Sequence, residues 1–166
     1  LILPFIEQTV LYDQYDFSEP WDGPNNAKLA RDIPSVYRCP SDPDSDNSLN
    51  TNYVAVVGPR AAWAGSEPRK LDDFGDGSDS TIIVVEVADS GIHWMEPRDL
   101  SFDEARTGVH PPGRATISGH HIIKYGHFYH DEPGANVAMA DGRVHSLPQR
   151  IGQTTVEAML SIGGAQ

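Results

Sequence analysis

The chain has 166 residues, enough for one domain of ordinary size and too few for a multi-domain machine. Twelve Lys and Arg against 24 Asp and Glu leave a formal net charge of −12, which excludes the basic groove of a nucleic-acid binder. With 15 Gly, 13 Pro and a single Cys, the composition describes a turn-rich globular chain without an intrachain disulfide framework or a Cys-based zinc or iron–sulfur site, and no apolar run approaches the roughly 18 residues of a membrane span.

Leu1, Ile2, Phe5, Ile6, Thr9, Val10 and Tyr12 recur at three- and four-residue spacing, which predicts an amphipathic helix with Pro4 in its first turn. That helix should pack against something. Residues 16–26, with Pro20, Gly23 and Pro24, read as a loop, after which Asn25 or Asn26 caps a short helix that runs to Arg31 and ends before Pro34. Residues 39–50 (CPSDPDSDNSLN) hold almost no apolar side chain and read as an exposed loop. Residues 51–57 (TNYVAVV) are strand-like and stop at Gly58-Pro59; 58–69 are loop and 71–80 (LDDFGDGSDS) a polar turn. Residues 81–87 (TIIVVEV) form the most β-branched run and predict a central strand, with Glu86 the odd residue near its end.

Residues 92–95 fit a short strand, and DLSFDEA within 96–105 fits a helical turn. Residues 109–113 turn sharply, and 117–129 (ISGHHIIKYGHFY) mix aromatic, β-branched and His residues as a strand or an extended excursion. Residues 135–147 predict a hairpin across Asp141-Gly142 with a type I′ turn. Counting outward puts Met139 opposite Val144 and Ala138 opposite His145, so that Val137, Met139 and Val144 share a buried face. Thr154 to Glu157 has capping-box spacing for a short helix with Val156, Met159 and Leu160 as its apolar stripe, stopped by Gly163-Gly164. The fold class that follows is α+β: an N-terminal amphipathic helix packed on a mostly antiparallel sheet with long loops, in a single globular domain over 1–166.

Six stretches in this order resemble the planctomycete DUF1559 family: LPFIEQTVLYDQYDFSEPWDGPNN (3–26), CPSDP (39–43), TNYVAVVG (51–58), DGSDSTIIVVE (76–86), HWMEPRDLSFDEA (93–105) and GANVAMADGRVHSL (134–147). The resemblance covers nearly the full chain. It implies a pseudopilin-like fold, a prepilin-type N-terminal cleavage/methylation segment with a hydrophobic helix upstream of residues like 1–14, and a signature of His, nine residues and Asp-Gly. The abrupt start at Leu1-Ile2-Leu3 then reads as a head lacking its upstream membrane helix. On that basis the chain is expected to be the extracytoplasmic head, periplasmic or at the cell surface, of a type II secretion or type IV pilus-like subunit. Its partners would be other pseudopilin-like subunits, and it would meet the membrane only through the missing helix. His130, Asp141 and Gly142 are the signature residues, in an architectural role. Ten residues (131–140) separate His130 from Asp141, one more than the signature, which lengthens the loop.

Several clusters offer chemistry, each beside a plainer alternative. Asp42, Asp44, Asp46 and Ser48 space oxygens as the first half of a calcium loop does, yet Asn47 and Tyr53 stand where its Gly and closing Glu belong, so a solvated acidic loop competes. Asp72, Asp73, Asp76 and Asp79 precede the central strand, with Gly75 and Gly77 permitting curvature; calcium, which the pseudopilin resemblance brings into view, competes with a simple Asp-Gly turn. His120, His121, His127 and His130, with His110 and His145 brought near by the hairpin, offer imidazoles to zinc or copper. Strand alternation places His121 and His127 on one side and His120 and His130 on the other, so a common site needs a bend at Gly126; surface histidines are the alternative. This segment, 110–145, carries the rival function of a secreted metal-dependent enzyme or carbohydrate-binding module. Ser41, Ser80, Ser101 and Cys39 lack an activating pattern and no phosphate-binding loop occurs, so no catalytic residue and no organic cofactor are assigned. Trp21, Trp63 and Trp94 line a sugar- or partner-binding face or, more plainly, anchor loops.

Overall fold

The computed structural model describes residues 2–44, 46–110, 116–125 and 130–163, with the side chains of Tyr125 and His130 outside the description. The chain gathers into two compact units, Leu1–Asn52 with Ser90–Arg98, and Tyr53–Asp89 with Asp99–Gln166.

In the first unit the predicted N-terminal helix is divided into a 3₁₀ turn at Leu3–Ile6 and helix α1 at Thr9–Gln14. Glu7 between them has a φ of 63°, and its N–H and that of Gln8 both donate to Leu3 O. A left-handed residue ends a helix by turning the chain off its axis. The apolar spacing survives the break in part. Leu3 and Leu11 bury with Leu29, and Ile6, Tyr12, Tyr15, Tyr37, Trp94 and Met95 pack against them. Phe5 and Val10, from the same pattern, stay on the surface.

Asn26 opens a 3₁₀ turn at Asn26–Leu29, but its side chain ties a loop instead of capping the turn. Fully buried, it accepts from the Asp16 N–H at 2.8 Å and donates to Asp16 O at 2.9 Å and Pro20 O at 3.0 Å. Glu19 does the capping, its Oε1 accepting from the N–H groups of Asn25 and Asn26 at 2.7 Å each. Residues 92–95 contribute an isolated bridge between His93 and Asn50 where a short strand is predicted.

The second unit carries a sheet of six strands: β1 (Tyr53–Val57), β2 (Ile82–Glu86), β3 (Leu100–Ser101), β4 (His121–Tyr125), β5 (His130–Met139) and β6 (Val144–Pro148). The order is β3-β1-β2-β5-β4, with β6 also on β5; β1 and β3 are parallel and the other pairings antiparallel. Short helices α2 (Phe102–Ala105) and α3 (Gln153–Leu160) complete a mixed α+β arrangement. The β-branched run 81–87 is central as predicted, with β2 between β1 and β5. Val54, Val56, Ile82, Val85, Val137, Met139, Val156 and Leu160 form its buried core.

The hairpin is present, but its register differs from the predicted one. Val144 pairs with Ala138 and His145 with Val137. The Gly142 N–H bonds to Met139 O at 2.9 Å and the Met139 N–H to Arg143 O at 2.8 Å, closing a three-residue loop. A type I′ turn needs positive φ at Asp141 as well as Gly142, and only Gly142 has it, at 86°. The loop is therefore a type I turn followed by a left-handed glycine in a bulge. One residue of slip changes a face: Val144 leaves the side of Val137 and Met139 and is 67% exposed.

The predicted capping box of the last helix is also displaced. Gly152, which has no side chain to cap with, takes the N-cap of α3, and Glu157 pairs with Arg60 at 3.0 Å and Arg106 at 3.7 Å. The capping box occurs on α2, where Ser101 Oγ accepts from the Glu104 N–H and Glu104 Oε2 accepts from the Ser101 N–H at 2.8 Å. Among the described residues no helix is long and apolar enough to cross a membrane.

Candidate functional site

The register along β5 creates a polar position inside the sheet. Gly134 pairs with both His121 and Pro148, and Val137 with both Val85 and His145. Strand β6 therefore follows one edge of β5 while β4 and β2 share the other end to end, leaving Ala135 and Asn136 in the gap. An unpaired N–H in such a gap needs an acceptor.

Glu86, at the end of β2 and 1% exposed, supplies it. Its Oε2 accepts from the Asn136 N–H at 2.8 Å, and its Oε1 faces His121 Nε2, from the start of β4, at 2.9 Å. The Asn136 side-chain amide stands 2.9 Å from the same His121 nitrogen, and Ser146 Oγ on β6 donates to Asn136 Oδ1 at 2.7 Å. Nε2 has either one hydrogen or one lone pair, so it serves one neighbour at a time, and the buried carboxylate favours the form that donates to Glu86.

A second histidine buttresses the cluster. His110, at a φ of 54°, accepts from the Gly119 N–H through Nε2 at 3.1 Å, which places the hydrogen of its neutral ring on Nδ1. Gly119 passes so close to the carboxylate that a Cβ there would lie 2.6 Å from Glu86 Oε2 and 2.9 Å from Gly134 O. The neighbouring Ser118 N–H bonds to Glu86 O at 2.9 Å, so this segment is tied to both the backbone and the side chain of Glu86.

Chemically this is a joint. Both carboxylate oxygens are engaged within the sheet, and the group is 1% exposed. What it does is join β2, β4, β5 and β6 where the backbone ladder has a gap. Sequence reasoning singles out Glu86 as odd and groups His121 with other histidines; it misses Asn136, Ser146 and Gly119, whose roles depend on register. The polar Asn136 within an alternating apolar run was the available signal.

The other expected site residues fall as follows. His120 is exposed and His121 half-buried; the structure gives His130 the first position of β5, with its side chain outside the described residues, and His127 lies outside them altogether. His145 is exposed on β6. Asp72, Asp73, Asp76 and Asp79 are all exposed, and no three of them bring oxygens within 4.8 Å of one another among the described residues. Asp73 Oδ2 accepts from the Lys70 N–H at 2.7 Å, closing a local turn. In the loop at 39–50, Asp42 accepts from the Asp44 N–H at 2.9 Å and from Asn52 Nδ2 at 2.7 Å, while Asn52 Oδ1 accepts from the Cys39 N–H at 2.8 Å. Asp42 is thus built into the loop from within. Trp94 donates to Ala30 O at 2.9 Å and Trp21 stacks on His93 at 4.8 Å, both as loop anchors.

Residues 1–69 match the family model described as a protein of unknown function (DUF1559). The match supports the DUF1559 family. Searches of curated proteins and of solved structures returned no match.

Proposed function

We propose that the chain is a structural and interaction protein: the extracytoplasmic head of a pseudopilin-like subunit, of type II secretion or type IV pilus-like kind, that assembles with other such subunits. The observation that carries this reading is the exposure of Ile2, Phe5, Val10 and Phe17, at 54%, 87%, 73% and 54%, within the stretch that matches DUF1559. Large apolar side chains grouped on one short stretch mark a surface that is stabilised when a partner covers it. Net charge of −12 opposes non-specific association at long range, so association depends on such local apolar contact. The polar cluster at Glu86 supports the same reading, because its groups are engaged in holding strands together.

Fractionation of the full-length gene product in its native cells tests the placement. The protein should stay with membranes through high salt, leave with detergent, and be cut by protease added from outside the cytoplasmic membrane. Recovery as a salt-extractable or cytoplasmic protein would overturn the reading.

A further inference from the structure

The carboxylate at the centre of the polar joint is short of positive charge. Glu86 is 1% exposed, and among the described residues its ion-pair partner is His121, while no Lys or Arg pairs with it. An imidazole carries charge only when protonated. A carboxylate withdrawn from water is stabilised by a full countercharge or by a metal ion, and a chain of net charge −12 draws cations from solution.

The atoms around His121 Nε2 make a ligand set. Glu86 Oε1 and the Asn136 amide each stand 2.9 Å from that nitrogen. Two ligands about 2.1 Å from one first-row ion and at right angles to each other are about 3.0 Å apart, so both spacings match neighbouring positions around such an ion. Turning the Asn136 amide by half a turn presents Oδ1 in place of Nδ2, and Ser146 Oγ, 2.7 Å from the other end of the amide, accepts as well as donates. Glu86 Oε2 keeps the Asn136 N–H in either case. The His121 side chain is 24% exposed, which gives an ion a way in and lets water complete its coordination. An imidazole nitrogen with two oxygens suits zinc or nickel, whereas calcium and magnesium prefer oxygen alone.

We propose that Glu86 Oε1, His121 Nε2 and Asn136 Oδ1 bind one first-row divalent cation, which displaces the Nε2 proton to solvent and ties β2, β4 and β5 together. The proposal is read on the isolated chain and survives failure of the assembly reading. Titration calorimetry of the chelator-stripped protein with zinc chloride tests it, with thermal melts alongside. One zinc ion per chain should bind with Kd below about 10 μM and raise the melting temperature. His121→Gln and Glu86→Gln should each weaken binding at least about tenfold, and His120→Gln, at an exposed neighbouring position, should leave it unchanged. Asn136→Asp should tighten binding about tenfold, because a charged ligand replaces a neutral one; a purely structural cluster would only be destabilised by a second carboxylate beside Glu86. This variant, melted with and without zinc, keeps the test open if His121→Gln does not fold. Zinc binding weaker than about 10 μM, affinity unmoved by His121→Gln or lowered equally by His120→Gln, or no gain with Asn136→Asp would overturn the proposal.

Discussion

Glu86 occupies a place where the rest of strand β2 carries Ile and Val, and it is tolerated there because each oxygen has a partner. Truncation to Ala would remove the acceptor of the Asn136 N–H and the carboxylate facing His121, which should cost about 3 kcal/mol of unfolding free energy. Glu86→Gln keeps an acceptor for Asn136 and should cost only about half of that. Equal losses in denaturant melts of the two variants would contradict the joint. Gly119→Ala tests the same geometry from the other side: with the carboxylate held in place and Gly134 O being backbone, neither neighbour can yield, and a loss of about 1–3 kcal/mol is expected. In the first unit, His93 stacks on Trp21 and accepts from the Met95 N–H through Nδ1. Burial lowers its pKa from the ordinary 6.5, against a smaller upward pull from Glu96. The unfolded state therefore takes up the proton first. Stability from neutral His93 is complete above pH 6.5 and is lost as pH falls through the lower folded pKa. His93→Phe, which keeps the stacking, should flatten that decline in melts across the acid range, and an unchanged pH profile would remove His93 from the account.

The hairpin shows what chain order reveals and what it withholds. Asp141-Gly142 between apolar runs located the turn, and the β-branched run 81–87 located the central strand, because composition and turn chemistry are local. Register was not readable: the bulge at Gly142 adds one residue to the loop, moves Val144 to the open face and sets Asn136 opposite Ser146. The N-terminal helix failed for a similar reason, since nothing in the three- and four-residue spacing announces a left-handed Glu7. The polar joint was unreadable as a site because Glu86, His121, Asn136 and Ser146 come from four strands. Gly142→Val should cost about 1–2 kcal/mol, since a β-branched residue at positive φ is strained although space beside it is open. Gly142→Asn, which tolerates that conformation, should cost clearly less. If both variants melt together with the parent, the bulge does not set the register.

Across the molecule, each compact unit draws on the sequence in its own way. Residues 1–52 with 90–98 hold their loops by buried Asn26 and Asn52 and leave Phe5 and Val10 uncovered, while the remainder builds the sheet. Asn26→Ala should cost about 2–4 kcal/mol by freeing the Asp16 and Pro20 carbonyls. Assembly is what the uncovered side chains are for on the present account. The direct test is photo-crosslinking in cells of the full-length protein carrying a photoreactive residue at Phe5 or Val10, with adducts identified by mass spectrometry. Adducts to further copies of this chain or to the other subunits of the proposed assembly, lost on introducing Val10→Asp beside a probe at Phe5, are the expected result. A protein that yields no such adducts, or whose adducts ignore Val10→Asp, would contradict it.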